Sequence, residues 1–148
     1  MVKKKADSLE ETQRIAEEIV TAVFNENKKR EGALVFALCG ELGSGKTSFT
    51  QGIGKALGVN ESIISPTFIL ERVYAIEKNG FTRFIHIDCY RFKESSEIEV
   101  LGWKELIKSS AHIIVVEWAE KIREYLPKDA IEICFEHDGE KRTIEIKE

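Results

Sequence analysis

The run Gly40-Glu41-Leu42-Gly43-Ser44-Gly45-Lys46-Thr47 fits G-x-x-x-x-G-K-[ST], the spacing of a phosphate-binding loop. Each residue type has a physical job. The glycines let the backbone turn tightly and aim several N–H groups inward at phosphate oxygens. A helix starting near Gly45 adds the positive end of its dipole. Lys46 would reach the β- and γ-phosphates, and the Thr47 hydroxyl would ligate Mg²⁺. At average residue frequencies the pattern arises by chance in roughly one chain of this length in two hundred. A glycine-rich turn that binds nothing would leave Lys46 and Thr47 without a purpose.

Such a loop also needs an acid at a strand end to hold the metal, directly or through water. Two segments supply one: Ile113-Ile114-Val115-Val116-Glu117 and Phe84-Ile85-His86-Ile87-Asp88. Spacing does not say which acid lies nearer the loop. Glu117 ends the more apolar run and is preferred for the metal. His86 alternates with apolar strand positions and reads as a structural histidine rather than a general base. The guanine-specifying Asn-Lys-x-Asp is absent, since Asn27-Lys28-Lys29-Arg30 carries only its first two letters. ATP, with ADP as its product, is therefore the expected nucleotide. None of Arg72, Arg83 and Arg91 is singled out as an arginine finger.

These residues need elements to position them. Ser8-Leu9-Glu10-Glu11 has capping-box form, and Leu9, Ile15, Ile19, Ala22 and Val23 follow at helical spacing. A helix is expected over Leu9 to Asn27. Ala33 to Cys39 is a continuous apolar run, as in a strand covered on both faces. A second helix is expected over Gly45 to Leu57, stopped at Gly58. Gly52 and Gly54 lie inside it, where close packing or a ligand would explain them. Phe68 to Ile76 and Phe81 to Asp88 flank the turn signal Lys78-Asn79-Gly80. A helical stretch, broken at Gly102, runs from about Glu94 to Ser109. His112 to Trp118 is a second buried strand, and a short helix covers Glu120 to Tyr125 before Pro127. Ala130 to Glu136 and Lys141 to Lys147 form a terminal hairpin around Asp138-Gly139. The expected fold is α/β: a three-layer P-loop NTPase fold, its central sheet mostly parallel with antiparallel hairpin additions.

Composition bounds the rest. The 148 residues make one domain, expected to span 1–148, long enough to bury roughly 70% of the unfolded surface. Two prolines and 10 glycines exclude low-complexity and collagen-like classes. The longest apolar stretch falls far short of the roughly 20 residues of a membrane helix. The lysines near Met1 have no apolar core behind them, so no export signal is expected. A net charge of −4 weighs against a dedicated nucleic-acid binder. The clusters Lys3 to Lys5 and Lys28 to Arg30 read as solvated helix ends. Cys39, Cys89 and Cys134 are odd in number and lack Cys-x-x-Cys spacing, which argues against zinc or disulfides and for a reducing cytoplasm.

The chain resembles the bacterial TsaE (YjeE/YdiB) family. The resemblance rests on the loop Gly40 to Thr47 with Ser48 and Phe49, on Ser65-Pro66-Thr67-Phe68, on His86-Ile87-Asp88-Cys89-Tyr90-Arg91 and on Val116-Glu117-Trp118. Order and spacing agree from Ser8 to Arg142. Cys89 and Ala119 depart from the residues usual there, a bulky apolar residue and a proline. The resemblance implies a weak, partner-dependent ATPase serving threonylcarbamoyladenosine (t6A) modification of tRNA. It would act with TsaD and TsaB without transferring the group itself, meeting tRNA through the complex. It also implies that Thr47 and Glu117 hold Mg²⁺ and that Thr67 lies in a switch-like loop near the γ-phosphate. Asp88 and Trp118 would be needed for turnover, and Leu9, Thr12 and Arg142 would lie near the base. The rival readings are a small-molecule kinase, which would need an acceptor site and a lid, and a non-catalytic nucleotide-bound scaffold.

Overall fold

Two apolar runs form the middle of the sheet because neither face of them can be left to water. In a computed structural model, which describes residues 2–41, 43–61, 63, 70–139 and 141–147, these are β2 (Leu34–Gly40) and β5 (His112–Glu117). The remaining strands are β1 (Val2–Ala6), β3 (Glu71–Lys78), β4 (Phe81–Asp88), β6 (Ile131–Asp138) and β7 (Lys141–Lys147). The sheet has 7 strands in the order β1-β7-β6-β2-β5-β4-β3. β6, β2, β5 and β4 run parallel. β3 adds antiparallel to β4, and the β6–β7 hairpin extends the other side.

Helices α1 (Leu9–Glu26) and α2 (Lys46–Ala56) cover one face. Their core includes Phe36, Phe49 and Phe84, each fully buried and contributing roughly 1.5–3 kcal/mol. The 3₁₀ stretches Ser95–Leu101 and Ala119–Tyr125 and the short helix α3 (Trp103–Lys108) cover the other face. Gly102 at φ 74° breaks the first of these from α3, where the sequence placed the break. The three layers expected from the sequence are present.

α1 starts as its sequence dictates. The Ser8 hydroxyl accepts the Glu11 N–H at 3.1 Å. Glu11 reaches back to the amide of Asp7 at 2.9 Å rather than to that of Ser8. Gly52 sets how closely the two helices cross. A Cβ there would stand 2.6 Å from the Gln13 carbonyl oxygen and 2.8 Å from the Ala16 Cβ. A Cβ on Gly54 would likewise stand 1.9 Å from Ile63 Cδ1. Close packing therefore accounts for both glycines. Gly52→Ala is expected to lower stability by about 1–3 kcal/mol through overpacking, despite the better helix propensity of alanine. Urea unfolding reads this directly, and an unchanged midpoint would contradict the close crossing.

Three sequence expectations change. Lys3 to Lys5 are not a helix end: they lie in β1, which pairs antiparallel with β7, Lys4 opposite Ile144. The hairpin strand expected from Phe68 starts at Glu71 among the described residues; residues 64–69 lie outside them. Cys39 and Cys134 form a disulfide, since the β2–β6 register sets them side by side with Cα atoms 4.7 Å apart. Counting cysteines could not reveal this, because the partners are 95 residues apart in sequence. Cys89 stays free and buried, and burial pushes its thiol pKa up to about 12. With iodoacetamide at pH 8.5 and no reductant, the native chain is expected to label nowhere and the unfolded chain only at Cys89. Labelling of Cys39 or Cys134 in unreduced, unfolded protein would disprove the bond.

Candidate nucleotide-binding site

β2 ends at Gly40 and α2 begins at Lys46, so the glycine-rich segment turns from the centre of the sheet into a helix N-terminus. Gly40 sits at φ 138°, and a Cβ there would meet the Phe135 carbonyl oxygen at 2.7 Å. Only glycine fits. Its N–H donates to the Glu120 carboxylate at 3.2 Å.

Lys46 is buried, and its ammonium donates to the carbonyls of Gly40 and Glu41. It lies 4.1 Å from the centroid of the Trp118 ring, a cation–π distance. Burial lowers its pKa, opposed by the carboxylates of Glu120, Glu117, Asp88 and Glu41. Trp118 reaches this place through a left-handed backbone, φ 59° and ψ 41°, between β5 and the next 3₁₀ stretch. A non-glycine residue there costs of order 1–3 kcal/mol. Tyr90 stacks at a tilt against Trp118, with centroids 5.2 Å apart.

The Thr47 hydroxyl donates to Glu117 Oε1 at 3.1 Å. Register sets Asp88 beside Glu117 on the neighbouring strand, where its Oδ1 accepts the Tyr90 N–H at 2.9 Å. The other Glu117 oxygen meets His86 Nε2.

A cavity of about 370 Å³ opens over these groups. Gly43, Gly45, Lys46, Thr47 and Ser48 line its floor. Asp88, Glu117 and Trp118 form one wall, and Leu9 and Arg142 stand at another. Gly40, Ser44 and Thr12 are not among the lining residues. Ser44 and Thr12 are buried, and a Cβ on Gly45 would come 3.8 Å from Thr12 Cγ2. Ser65, Pro66 and Thr67 lie outside the described residues. Sequence reasoning did not single out Tyr90 or Glu120, and it gave His86 no link to Glu117. Tyr90 stood inside a quoted motif, which was the available signal; the other two are placed by pairing between strands distant in sequence.

A family model described as "Threonylcarbamoyl adenosine biosynthesis protein TsaE" matches residues 6–144. The chain belongs to the TsaE family. A relative from Bacillus subtilis, named tRNA threonylcarbamoyladenosine biosynthesis protein TsaE, is 35% identical over 88% of this chain and 75% of its own length. TsaE proteins so named from Borreliella burgdorferi and Streptomyces coelicolor are 34% and 40% identical, over 76% and 70% of this chain and 80% and 68% of theirs. The crystal structure of YdiB from Bacillus subtilis superposes with a TM-score of 0.71 at 30% identity, covering 97% of this chain and 82% of that one. The family match thus spans the sheet from the end of β1 into β7.

The donor set suits a hard cation. Thr47 and Glu117 offer oxygens only, and no cluster of three or more His, Cys, Asp or Glu side chains among the described residues could hold a metal by itself. Mg²⁺ commonly binds in this way, through one or two protein oxygens, water and substrate phosphates. No described helix is long and apolar enough to cross a membrane.

Proposed function

We propose that this chain binds ATP and ADP with Mg²⁺ and hydrolyses ATP slowly in the service of t6A modification of tRNA. It would act with TsaD and TsaB in the cytoplasm as one 1–148 P-loop unit, without transferring the threonylcarbamoyl group. Contact with tRNA would run through the complex. The observation that carries the reading is the Thr47–Glu117 contact at the start of α2, beneath the same cavity as the Lys46 ammonium.

The division of labour would be as follows. The first amides of α2 and the Lys46 ammonium face where phosphate oxygens would lie. Lys46 is already aimed into the loop and would exchange carbonyl partners for phosphate ones. Thr47 and Glu117 would hold Mg²⁺, which when bound supplies positive charge against the charge on the transferred phosphoryl group. Trp118, stacked with Tyr90, would pack beside the phosphates at the cavity lining. Asp88 would orient an attacking water, and Thr67, which lies outside the described residues, would act near the γ-phosphate as the family resemblance implies. Leu9, Thr12 and Arg142 would lie near the base, as the resemblance implies.

Mg-ATP turnover by the purified chain, alone and with a TsaD–TsaB pair, tests the proposal. Slow turnover raised by the pair is the expected result. Turnover indifferent to the pair would break the link to t6A. Phosphate transfer to an added acceptor, faster than to water, would bring the kinase reading forward.

A further inference from the structure

His86 is fully buried on β4, two residues before Asp88, and it is absent from the cavity lining. A general base must reach the proton it takes, directly or through one water. His86 reaches neither substrate space nor solvent. What it does reach is Glu117. Its Nε2 contacts Glu117 Oε2, while Oε1 of the same carboxylate accepts from Thr47. His86 stands opposite Val115 in the β4–β5 register, so the ring crosses diagonally to the carboxylate two residues further along β5. Its Nδ1 is buried without a hydrogen-bond partner. The arrangement therefore needs the ring proton on Nε2, where it has an acceptor.

A carboxylate turns easily about its last torsion, which has no sharp staggered wells. Glu117 is only 3% exposed, so water does little to hold it. We propose that His86 is a positioning residue for the metal site. Its Nε2–H pins one oxygen of Glu117 and thereby keeps the other directed at Thr47 and at the Mg²⁺ they would share. This rests on the Mg-nucleotide reading above. It assigns the histidine a task that a merely core-filling ring would not have.

The test compares His86→Gln with His86→Asn. Both are polar, but glutamine extends an N–H to the reach of Nε2 and asparagine does not. Binding of a fluorescent ADP analogue is titrated in EDTA and then at rising Mg²⁺, with thermal melts to verify folding. For the wild type, Mg²⁺ is expected to tighten binding. For His86→Asn, the Mg²⁺ needed for half the effect should rise about 10–100-fold with affinity in EDTA unchanged. His86→Gln should restore most of the wild-type requirement. In a Glu117→Gln background, His86→Asn should add nothing. Side-chain ¹⁵N NMR of the metal-free protein should show His86 protonated on Nε2, a readout independent of nucleotide.

A wild-type Mg²⁺ requirement in His86→Asn would overturn the inference while leaving the Mg-nucleotide reading intact. Equal failure of both variants, in EDTA as well as in Mg²⁺, would mean that the ring only fills space. Wild-type binding that ignores Mg²⁺ would remove the metal reading and this inference together.

Discussion

Lys46→Ala is expected to weaken ATP binding by about 10–100-fold and to reduce turnover to background. The ammonium is the cation placed deepest in the loop, held by the Gly40 and Glu41 carbonyls over the Trp118 ring. Burial already disfavours its charge, and the carboxylates of Glu120, Glu117 and Asp88 act the other way. Its desolvation has thus largely occurred before a phosphate arrives. A charge-assisted hydrogen bond contributes about 1.5–3 kcal/mol, which converts to the affinity loss above. Lys46→Arg is not conservative here, because a planar guanidinium does not fit a pocket shaped around two converging carbonyls. Calorimetric titration with ATP is the measurement. Full-strength binding by Lys46→Ala would remove the phosphate-loop reading altogether.

Glu117→Gln should behave differently. Nucleotide affinity in EDTA should persist, while Mg-dependent turnover falls by about 10²–10³-fold, the scale seen when a group stabilising transition-state charge is removed. Glutamine keeps the volume and an acceptor for His86, so the β4–β5 packing is undisturbed. What it loses is the negative charge beside Thr47. Steady-state hydrolysis across a Mg²⁺ series separates this from a binding defect. A wild-type rate in Glu117→Gln would transfer the metal role to Asp88, its partner in the register.

How far the sequence could be read depended on whether a feature was local. The strand–glycine loop–helix turn was legible, because glycine, lysine and threonine at fixed intervals fall within eight positions. β2 and β5 were legible because uninterrupted apolar runs leave few alternatives. β1 was missed because Lys3, Lys4 and Lys5 show no apolar alternation. It is an edge strand, where charge is tolerated and discourages pairing with other chains, and only Ala6 among its residues is buried. The Thr47–Glu117 contact that favours Glu117 over Asp88 joins residues 70 apart in sequence, and the His86 contact needed the β4–β5 register plus the direction of the pleat. The Cys39–Cys134 bond needed the β2–β6 register. Sheet pairing between distant segments is what a single chain, read linearly, does not display.

The position of β2 has a consequence for how the protein is made. β2 ends at Gly40, yet its neighbours β5 and β6 are residues 112–117 and 131–138. On a ribosome adding about 5–20 residues per second, the strand that carries the phosphate loop waits on the order of 10 s for its first neighbour. During that time Leu34 to Cys39 is an uncharged, strand-forming hexamer with both edges open, the type of segment that templates aggregation. Exposed Lys28 and Lys29 lie just upstream of it, where charged gatekeepers protect such runs. As gatekeepers they would act on the nascent chain, before β5 and β6 close the two edges of β2.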